Sequence, residues 1–145
     1  MKKIFIYSSS NGQSLKICKA LNKNKEYLII DMDMLKTTKL DNFDQIVIGA
    51  SVKYGDHNKK VYEFVKKNRV LLEKKKTVFF SVNATARKSE KNTPKTNPYI
   101  IKFLKKTNWT PDHIGVFAGM IDFPNYNFIE KYIIKLIMWI TNGPT

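Results

Sequence analysis

The chain has 145 residues, 43% of them hydrophobic and 12% aromatic, which is enough for one domain with a buried core and too apolar for a disordered chain. Its single cysteine, Cys18, excludes an internal disulfide and a metal site of several thiolates, and is typical of a reducing compartment. A formal net charge of +14 indicates an anionic partner, for which nucleic acid, anionic lipid and an acidic substrate are candidates.

The basic charge also has a plainer interpretation, because Lys, Asn and Ile are all abundant and the composition can have drifted. Only two residues, Arg69 and Arg87, are arginines. Because Arg is the favoured side chain for reading bases, this disfavours sequence-specific DNA recognition. The apolar run after Met1 meets polar residues at Ser8 and is too short for a signal peptide. We therefore expect a cytoplasmic protein.

Short apolar runs alternate along the chain with stretches of helical periodicity. The predicted strands are Lys2–Tyr7, Tyr27–Ile30, Asp44–Ala50, Thr77–Val82 and His113–Met120. The predicted helices carry the stripes Leu15, Ile17, Cys18, Leu21 and Val61, Phe64, Val65, Asn68, Leu72, and a third helix starts at Asn97-Pro98. This order predicts an α/β fold with a parallel sheet covered on both faces. Ligands of such sheets bind beyond the carboxyl ends of the strands.

The first connection, Ser8–Ser14, lies between a strand and a helix. Its hydroxyl and amide side chains and its glycine allow backbone N–H groups to converge on a phosphate at the helix N-terminus. It lacks the lysine of the triphosphate P-loop and the three glycines of the dinucleotide fingerprint. The loop therefore predicts a site for a terminal phosphate, although an Asn-Gly turn with a capping serine is an alternative.

The connection after the third strand begins with small residues, Gly49, Ala50 and Ser51, which allow a planar ligand to approach the backbone. Tyr54 is an aromatic side chain that can stack on a flat ring, and Gly55 leaves room for a turn. An ordinary loop aromatic is the alternative.

The connection after the fourth strand is long, with fourteen residues from Asn83 to Thr96. Long connections in compact domains are often functional. This one is cationic through Arg87, Lys88, Lys91 and Lys95. A solvated loop without a ligand is the alternative.

Taken together, these segments resemble the menaquinone-dependent, oxygen-independent protoporphyrinogen dehydrogenases of bacterial haem synthesis, which have a flavodoxin-like fold. The similarity covers residue 1 to about Gly143. Besides the first loop, it lies in Val47–Ser51, Lys53-Tyr54-Gly55, Glu63–Lys67, Ser81–Asn83, Ala86–Lys88, Thr93-Pro94, Thr96-Asn97, Trp109–Asp112, Ala118-Gly119 and Ile134–Met138. The resemblance implies a doubly wound parallel sheet of five strands in the order 2-1-3-4-5. It also implies a single domain over residues 1–145, with residues 122–145 an insertion that carries an amphipathic helix.

The resemblance further implies FMN as cofactor, and oxidation of protoporphyrinogen IX with a membrane quinone, menaquinone or ubiquinone, as electron acceptor. Carried over by position, the phosphate would be held by Ser9, Ser10, Asn11, Gly12, Gln13 and Ser14, and the isoalloxazine would lie against Ser51, Lys53, Tyr54 and Gly55, with Asn83, Ala84 and Thr85 at its other edge. Arg87 and Lys88 are the expected substrate contacts. No general base is assigned, because His57 and Tyr54 are both better interpreted as structural or positional residues, and no metal is expected.

A flavodoxin-type electron carrier without porphyrin activity is the alternative function. Such carriers are usually acidic, so the charge of +14 favours an enzyme that meets propionate groups and an anionic membrane surface. Residues 125–141 combine helical spacing with an apolar stretch of about thirteen residues, too short to span a bilayer but suited to its interface; a helix packed on the sheet is the alternative. We expect peripheral association with the inner face of the cell membrane and no nucleic-acid partner.

Family members continue beyond the region of Gly143, where they complete the fifth strand and add a final helix. Since the sequence ends at Thr145, we expect that helix to be missing and one apolar face of the sheet to be exposed.

Overall fold

A computed structural model describes residues 2–8, 12–22, 27–37, 39–53, 55–83, 86 and 88–117. The strands are β1 (Lys3–Ser8), β2 (Tyr27–Asp31), β3 (Gln45–Lys53), β4 (Asp56–His57), β5 (Lys76–Val82) and β6 (His113–Phe117). The α-helices are α1 (Gln13–Leu21), α2 (Lys59–Glu73) and α3 (Pro98–Thr107), and short 3-10 helices cover Met32–Thr37, Leu40–Asn42 and Ser89–Lys91.

The five long strands form a parallel sheet in the order β2-β1-β3-β5-β6. Counted over the long strands this is the order 2-1-3-4-5, so the predicted topology is confirmed. The prediction missed β4, a two-residue strand that pairs antiparallel with the end of β3. It also ended the third strand early, because β3 continues through Ser51 to Lys53.

Helices cover both faces of this sheet. Alternate residues of a strand point to opposite faces, and in β3 the side chains of Ile46 and Ile48 join the core that contains residues of α2 and α3. The side chain of Val47 joins the second core, which contains residues of α1. The sheet is therefore doubly wound, as predicted.

Helix α3 begins where the sequence predicts. The side chain of Asn97 accepts hydrogen bonds from the backbone N–H groups of Tyr99 and Ile100, and Pro98 occupies the first helical position. This cap satisfies two of the N–H groups that a helix start leaves without intrahelical acceptors. The local sequence therefore fixes the end of the long connection from β5.

The predicted insertion at residues 122–145, its amphipathic helix and the question of a final helix all lie outside the described residues. The expectation of an exposed apolar sheet face is not met where the described strands test it. Val78, Phe80 and Phe117, in the core that contains α1, are at most 2% exposed. Within the described residues, no helix combines the length and apolar character that crossing a membrane requires.

Candidate functional site

The three connections singled out from the sequence leave the sheet at one edge. β1, β3 and β5 are neighbours, with Ser8 opposite Ala50 and Ser51 opposite Val82. Their carboxyl ends are therefore level, which is the arrangement that forms ligand sites in open parallel sheets.

The first connection ends at the N-terminus of α1, where Gly12 has a left-handed backbone with a φ of 75°. A glycine adopts this conformation without strain. The first intrahelical bond runs from the N–H of Lys16 to the carbonyl of Gly12, at 3.0 Å, so the preceding N–H groups have no acceptor within the helix. The first turn of α1 carries no acidic residue. Residues 9–11 lie outside the described residues, and Gln13 is the first residue of the helix.

A hydroxyl pair joins the first connection to the second. The Oγ of Ser14 in α1 lies 2.7 Å from the Oγ of Ser51 in β3, and Ser14 is fully buried. The structure thus brings together two of the predicted site residues. The hydroxyl of Ser14 forms part of this internal link, and the helix N-terminus beside it supplies backbone donors.

The second connection is a β-hairpin and not an open loop. Val52 pairs with His57 and Lys53 with Asp56, so only residues 54 and 55 join the two strands. Gly55 has a φ of 80°, and Tyr54 lies outside the described residues. The exposed Lys53 and Gly55 are therefore presented at the tip of an ordered ribbon.

Asp56 anchors this hairpin to the helices. Its carboxylate accepts a hydrogen bond from Lys102 Nζ of α3, at 2.8 Å, and another from the hydroxyl of Tyr62 in α2. Although burial acts to raise it, the hydrogen bonds from Lys102 and Tyr62 hold the pKa of Asp56 below its usual value. Sequence reasoning missed this anchor, because Lys102 is far from Asp56 in the chain and none of the three residues belongs to a recognisable pattern.

His57 belongs to β4 of this hairpin, and its side chain is buried in the core. Its Nε2 is 2.7 Å from Ser81 Oγ, and its ring packs edge-on to Phe79 and Phe103. Burial lowers the pKa of His57 to about 4, partly opposed by the charge of Asp56 and assisted by that of Lys102. The imidazole is therefore neutral at physiological pH. These contacts support the structural interpretation of His57 over a role as proton acceptor.

The third connection starts with a buried side chain. Asn83 is 1% exposed, and its amide bonds internally to Ser81 and to Asn97. Asn83 is one of the residues expected at the edge of the planar ligand. Its side chain is not available for that role, so only its backbone can flank the ligand. Ala84, Thr85 and Arg87 lie outside the described residues, whereas Lys88 is exposed. Two further cations of this loop, Lys91 and Lys95, are partly and fully exposed respectively.

The absence of a side chain at Gly49 is explained by packing against a neighbouring strand and not by a ligand. A Cβ built on Gly49 would lie 2.0 Å from the ring tip of Phe80 in the adjacent strand. The sequence interpretation, in which Gly49 admits a planar ligand, is therefore wrong, because the space is occupied by the ring of a core phenylalanine.

Over the described part of the chain, no three His, Cys, Asp or Glu side chains lie close enough together to bind a metal ion. Cys18 is buried in the core, and burial raises the pKa of its thiol. The thiol is therefore not reactive.

The sequence pattern of the family described as Flavodoxin domain matches residues 4–145. A protoporphyrinogen IX dehydrogenase (quinone) of Escherichia coli (strain K12) is 38% identical over 150 residues, which cover all of this chain and 83% of that protein. A protein of the same name from Leishmania major is 33% identical, over 99% of this chain and 65% of that protein.

The chain belongs to the flavodoxin-domain family of quinone-dependent protoporphyrinogen IX dehydrogenases. The family predicted from the sequence is thus confirmed, and with it the enzyme class, an oxidoreductase of flavodoxin fold.

Solved structures agree on the fold of this dehydrogenase family member. Oxidised flavodoxin 1 from Bacillus cereus aligns over 100% of both chains with a TM-score of 0.63 and 18% identity. A flavoprotein from Lactobacillus acidophilus, solved in complex with FMN, aligns over 90% of this chain and 97% of its own with a TM-score of 0.55 and 14% identity. At such identities the likeness concerns the fold alone.

Proposed function

We propose that this protein binds FMN and oxidises protoporphyrinogen IX to protoporphyrin IX, with a membrane quinone as electron acceptor. The observation that carries the proposal is the meeting of three connections, after β1, β3 and β5, at one edge of the sheet. Relatives over the full length of the chain are named for this reaction.

The start of α1 fits the phosphate of FMN. Backbone N–H groups without helical acceptors, a left-handed Gly12 and the absence of acidic residues in the first turn together favour an anion. The residues proposed to hold the phosphate are Ser9, Ser10, Asn11, Gly12, Gln13 and Ser14. Their side chains are neutral, which suits a single terminal phosphate better than a triphosphate with its metal ion.

The hairpin tip and the third connection are proposed to enclose the ring system, with Ser51, Lys53, Tyr54 and Gly55 on one side and Asn83, Ala84 and Thr85 at the other edge. FMN, when bound, supplies the two-electron redox chemistry. The protein's part is to hold the ring at the carboxyl edge of the sheet and to leave one side open to substrate. His57 takes no part in moving protons in this proposal, because it is buried and bonded to Ser81.

The cationic connection after β5 is proposed to receive the propionate groups of the substrate, through Arg87 and Lys88. Lys88 is exposed, and Lys91 lies in the short 3-10 helix beside it. Charge-assisted hydrogen bonds from such side chains to carboxylates are stronger than neutral ones. This proposal assigns substrate orientation, not proton transfer, to the loop.

Peripheral association with an anionic membrane surface is part of the same proposal, because the quinone acceptor is lipid-soluble. The face formed by α2 and α3 is strongly basic. Its exposed lysines, in and next to the two helices, are Lys59, Lys66, Lys67, Lys74, Lys102, Lys105 and Lys106. The acidic residues of these helices are only Glu63 and Glu73, and the apolar side chains of Val70 and Ile101 are exposed beside the lysines. We call this surface the α2–α3 face.

Reconstitution tests the proposed activity. The purified protein is loaded with FMN, supplied with protoporphyrinogen IX, and assayed by porphyrin fluorescence with and without a short-chain menaquinone, under argon. We expect a quinone-dependent rate well above that of free FMN at the same concentration. A flavin-loaded sample with no quinone-stimulated rate, but with fast electron exchange with a flavodoxin reductase, contradicts the proposal and indicates an electron carrier.

A further inference from the structure

Four buried polar side chains cross the core between the β3–β4 hairpin and the start of α3. His57 Nε2 lies 2.7 Å from Ser81 Oγ, and the amide of Asn83 donates to the same oxygen at 2.9 Å. Asn83 and Asn97 then exchange two hydrogen bonds, at 2.8 Å from Asn97 Nδ2 to Asn83 Oδ1 and 3.2 Å in the reverse direction. All four side chains are at most 3% exposed.

The paired amides have no hydrogen-bonding capacity left for a ligand. Asn83 Oδ1 also accepts from the N–H of Ala86 at 3.1 Å, so both of its amide hydrogens and both acceptor positions are used. Asn97 Nδ2 also donates to the carbonyl of Lys91 at 2.9 Å, and its Oδ1 accepts from the first turn of α3. Most buried polar groups in proteins are satisfied in this way, because leaving them unpaired costs free energy. The pair therefore acts on the protein itself.

These bonds fix the third connection at three points. Ala86 lies near its beginning, Lys91 in its middle, and the cap of α3 at its end. Two apolar side chains of similar volume would fill the same space, but they would leave the carbonyl of Lys91 without its donor and the N–H of Ala86 with only the backbone carbonyl of Asn83, at 3.2 Å, as acceptor. The chemistry of the pair is thus suited to holding a loop and not merely to packing a core.

These hydrogen bonds also extend to the β3–β4 hairpin, the other segment proposed to contact the flavin ring. His57 belongs to β4, which pairs with Val52 and Lys53 and closes the hairpin that carries Gly55. Its link through Ser81 to Asn83 connects the hairpin with the third connection. The spacing between the two segments proposed to enclose the flavin is therefore set by buried bonds.

We propose that Asn83 and Asn97 are positioning residues, whose side chains hold the third connection at a fixed distance from the β3–β4 hairpin and so preorganise the flavin site without themselves contacting the flavin. This inference rests on the proposed function, since it concerns the same site. A site held in its binding geometry before the ligand arrives loses less entropy on binding. Loosening the pair should therefore weaken FMN binding even when the sheet stays intact.

The test compares Asn83→Ser, Asn97→Ser and the double variant. Serine at residue 97 still caps α3 but cannot form the amide pair, so this variant separates the two roles of Asn97. The matched control is Thr107→Val, which removes an equally buried hydroxyl that donates to the carbonyl of Phe103 at 2.9 Å near the far end of α3. FMN affinity is measured by flavin fluorescence, the flavin absorption spectrum is recorded on each complex, and folding is checked by circular dichroism.

We expect each Asn variant to bind FMN about tenfold more weakly, as the loss of about one net hydrogen bond predicts. The double variant should be no weaker than the worse single variant, because the two amides act as one unit. The flavin spectrum should shift in the Asn variants. Thr107→Val should lower the melting temperature yet keep the affinity within about twofold of the unmodified protein.

The inference is overturned if the Asn variants lose thermal stability while affinity and spectrum stay unchanged, because the pair is then structural only. If the unmodified protein binds no FMN, the proposed function fails. The inference is then tested by hydrogen exchange at the backbone amide of Ala86. Equal protection of this amide in Asn97→Ser and in the unmodified protein overturns the inference. If the Asn variants do not fold, Ser81→Ala replaces them, because it removes the link to His57 and leaves the Asn83–Asn97 pair in place. We expect Ser81→Ala to weaken FMN binding about threefold. Unchanged affinity and an unchanged flavin spectrum in this variant overturn the inference.

Discussion

At the scale of single residues, His57 is the clearest case of a titratable group whose environment decides its behaviour. Burial lowers its pKa in the folded protein to about 4, from an ordinary value of 6.5. Below about pH 6.5 the unfolded chain therefore takes up a proton that the folded protein does not bind. Since the unfolded state binds more protons in this window, stability is fully present above pH 6.5 and is lost as the pH falls towards 4.

The corresponding prediction concerns His57→Phe, which keeps an aromatic ring packed edge-on against Phe79 and Phe103 but removes the titration. Between pH 7 and 4 the unmodified protein should lose about 3 kcal/mol of unfolding free energy more than the variant does. Urea unfolding at half-unit pH intervals measures this difference. Because Asp56 and His113 remain in both proteins, their titration cancels. Parallel pH profiles for the two proteins would contradict the assignment.

Gly49 is a second residue whose role is set by a neighbour. Its missing Cβ makes room for the ring of Phe80, to which a Cβ would approach within 2.0 Å. Gly49→Ala should therefore destabilise the protein by about 2 kcal/mol through overpacking. The control is the pair of variants Phe80→Leu and Gly49→Ala/Phe80→Leu. In the Leu background the alanine should cost clearly less, and an equal cost in both backgrounds would exclude the ring as the cause.

At the scale of elements, the sequence predicts what depends on local chemistry. β1, β3 and β5 are buried on both faces and therefore appear in the sequence as continuous apolar runs. The start of α3 follows from Asn97, which caps the helix, and from Pro98, which occupies its first position. β4 could not be predicted, because two residues carry no periodicity. The bonds of Asn83 to Ser81 and Asn97 were also missed, since partners up to fourteen positions apart meet only after the sheet and α3 have packed.

The β3–β4 hairpin depends on contacts from both neighbouring helices. Asp56 accepts from Tyr62 of α2 and from Lys102 of α3. Asp56→Asn should lower the unfolding free energy by about 1 kcal/mol, since one neutral and one charged donor then face an amide in place of a carboxylate. The effect should nearly vanish in a Tyr62→Phe/Lys102→Met background, and urea unfolding of the four proteins measures the coupling. Full additivity would show that the three side chains do not act together.

At the scale of the whole molecule, charge and topology divide the surface into distinct faces. α2 and α3 cover one face of the sheet and α1 the other, yet exposed lysines occur on both. The α2–α3 face differs from the α1 face in two respects. Its lysines are more numerous, and Val70 and Ile101 are 65% and 47% exposed among them. Lysines attract anionic headgroups, and apolar side chains gain by entering the headgroup region.

If the α2–α3 face meets the membrane, reversing two of its charges should matter more than reversing two elsewhere. Lys66→Glu/Lys105→Glu changes an exposed residue on each of α2 and α3, whereas the matched control Lys16→Glu/Lys19→Glu makes the same change in net charge on exposed residues of α1, across the sheet. At about 1 kcal/mol for each lysine near an anionic surface, the first variant should bind liposomes containing phosphatidylglycerol at least about tenfold more weakly. The control should lose less than about threefold, because only the long-range field changes. Co-sedimentation in 50 and 300 mM salt measures both, and equal losses in the two variants would mean that total charge, and not this face, governs membrane binding.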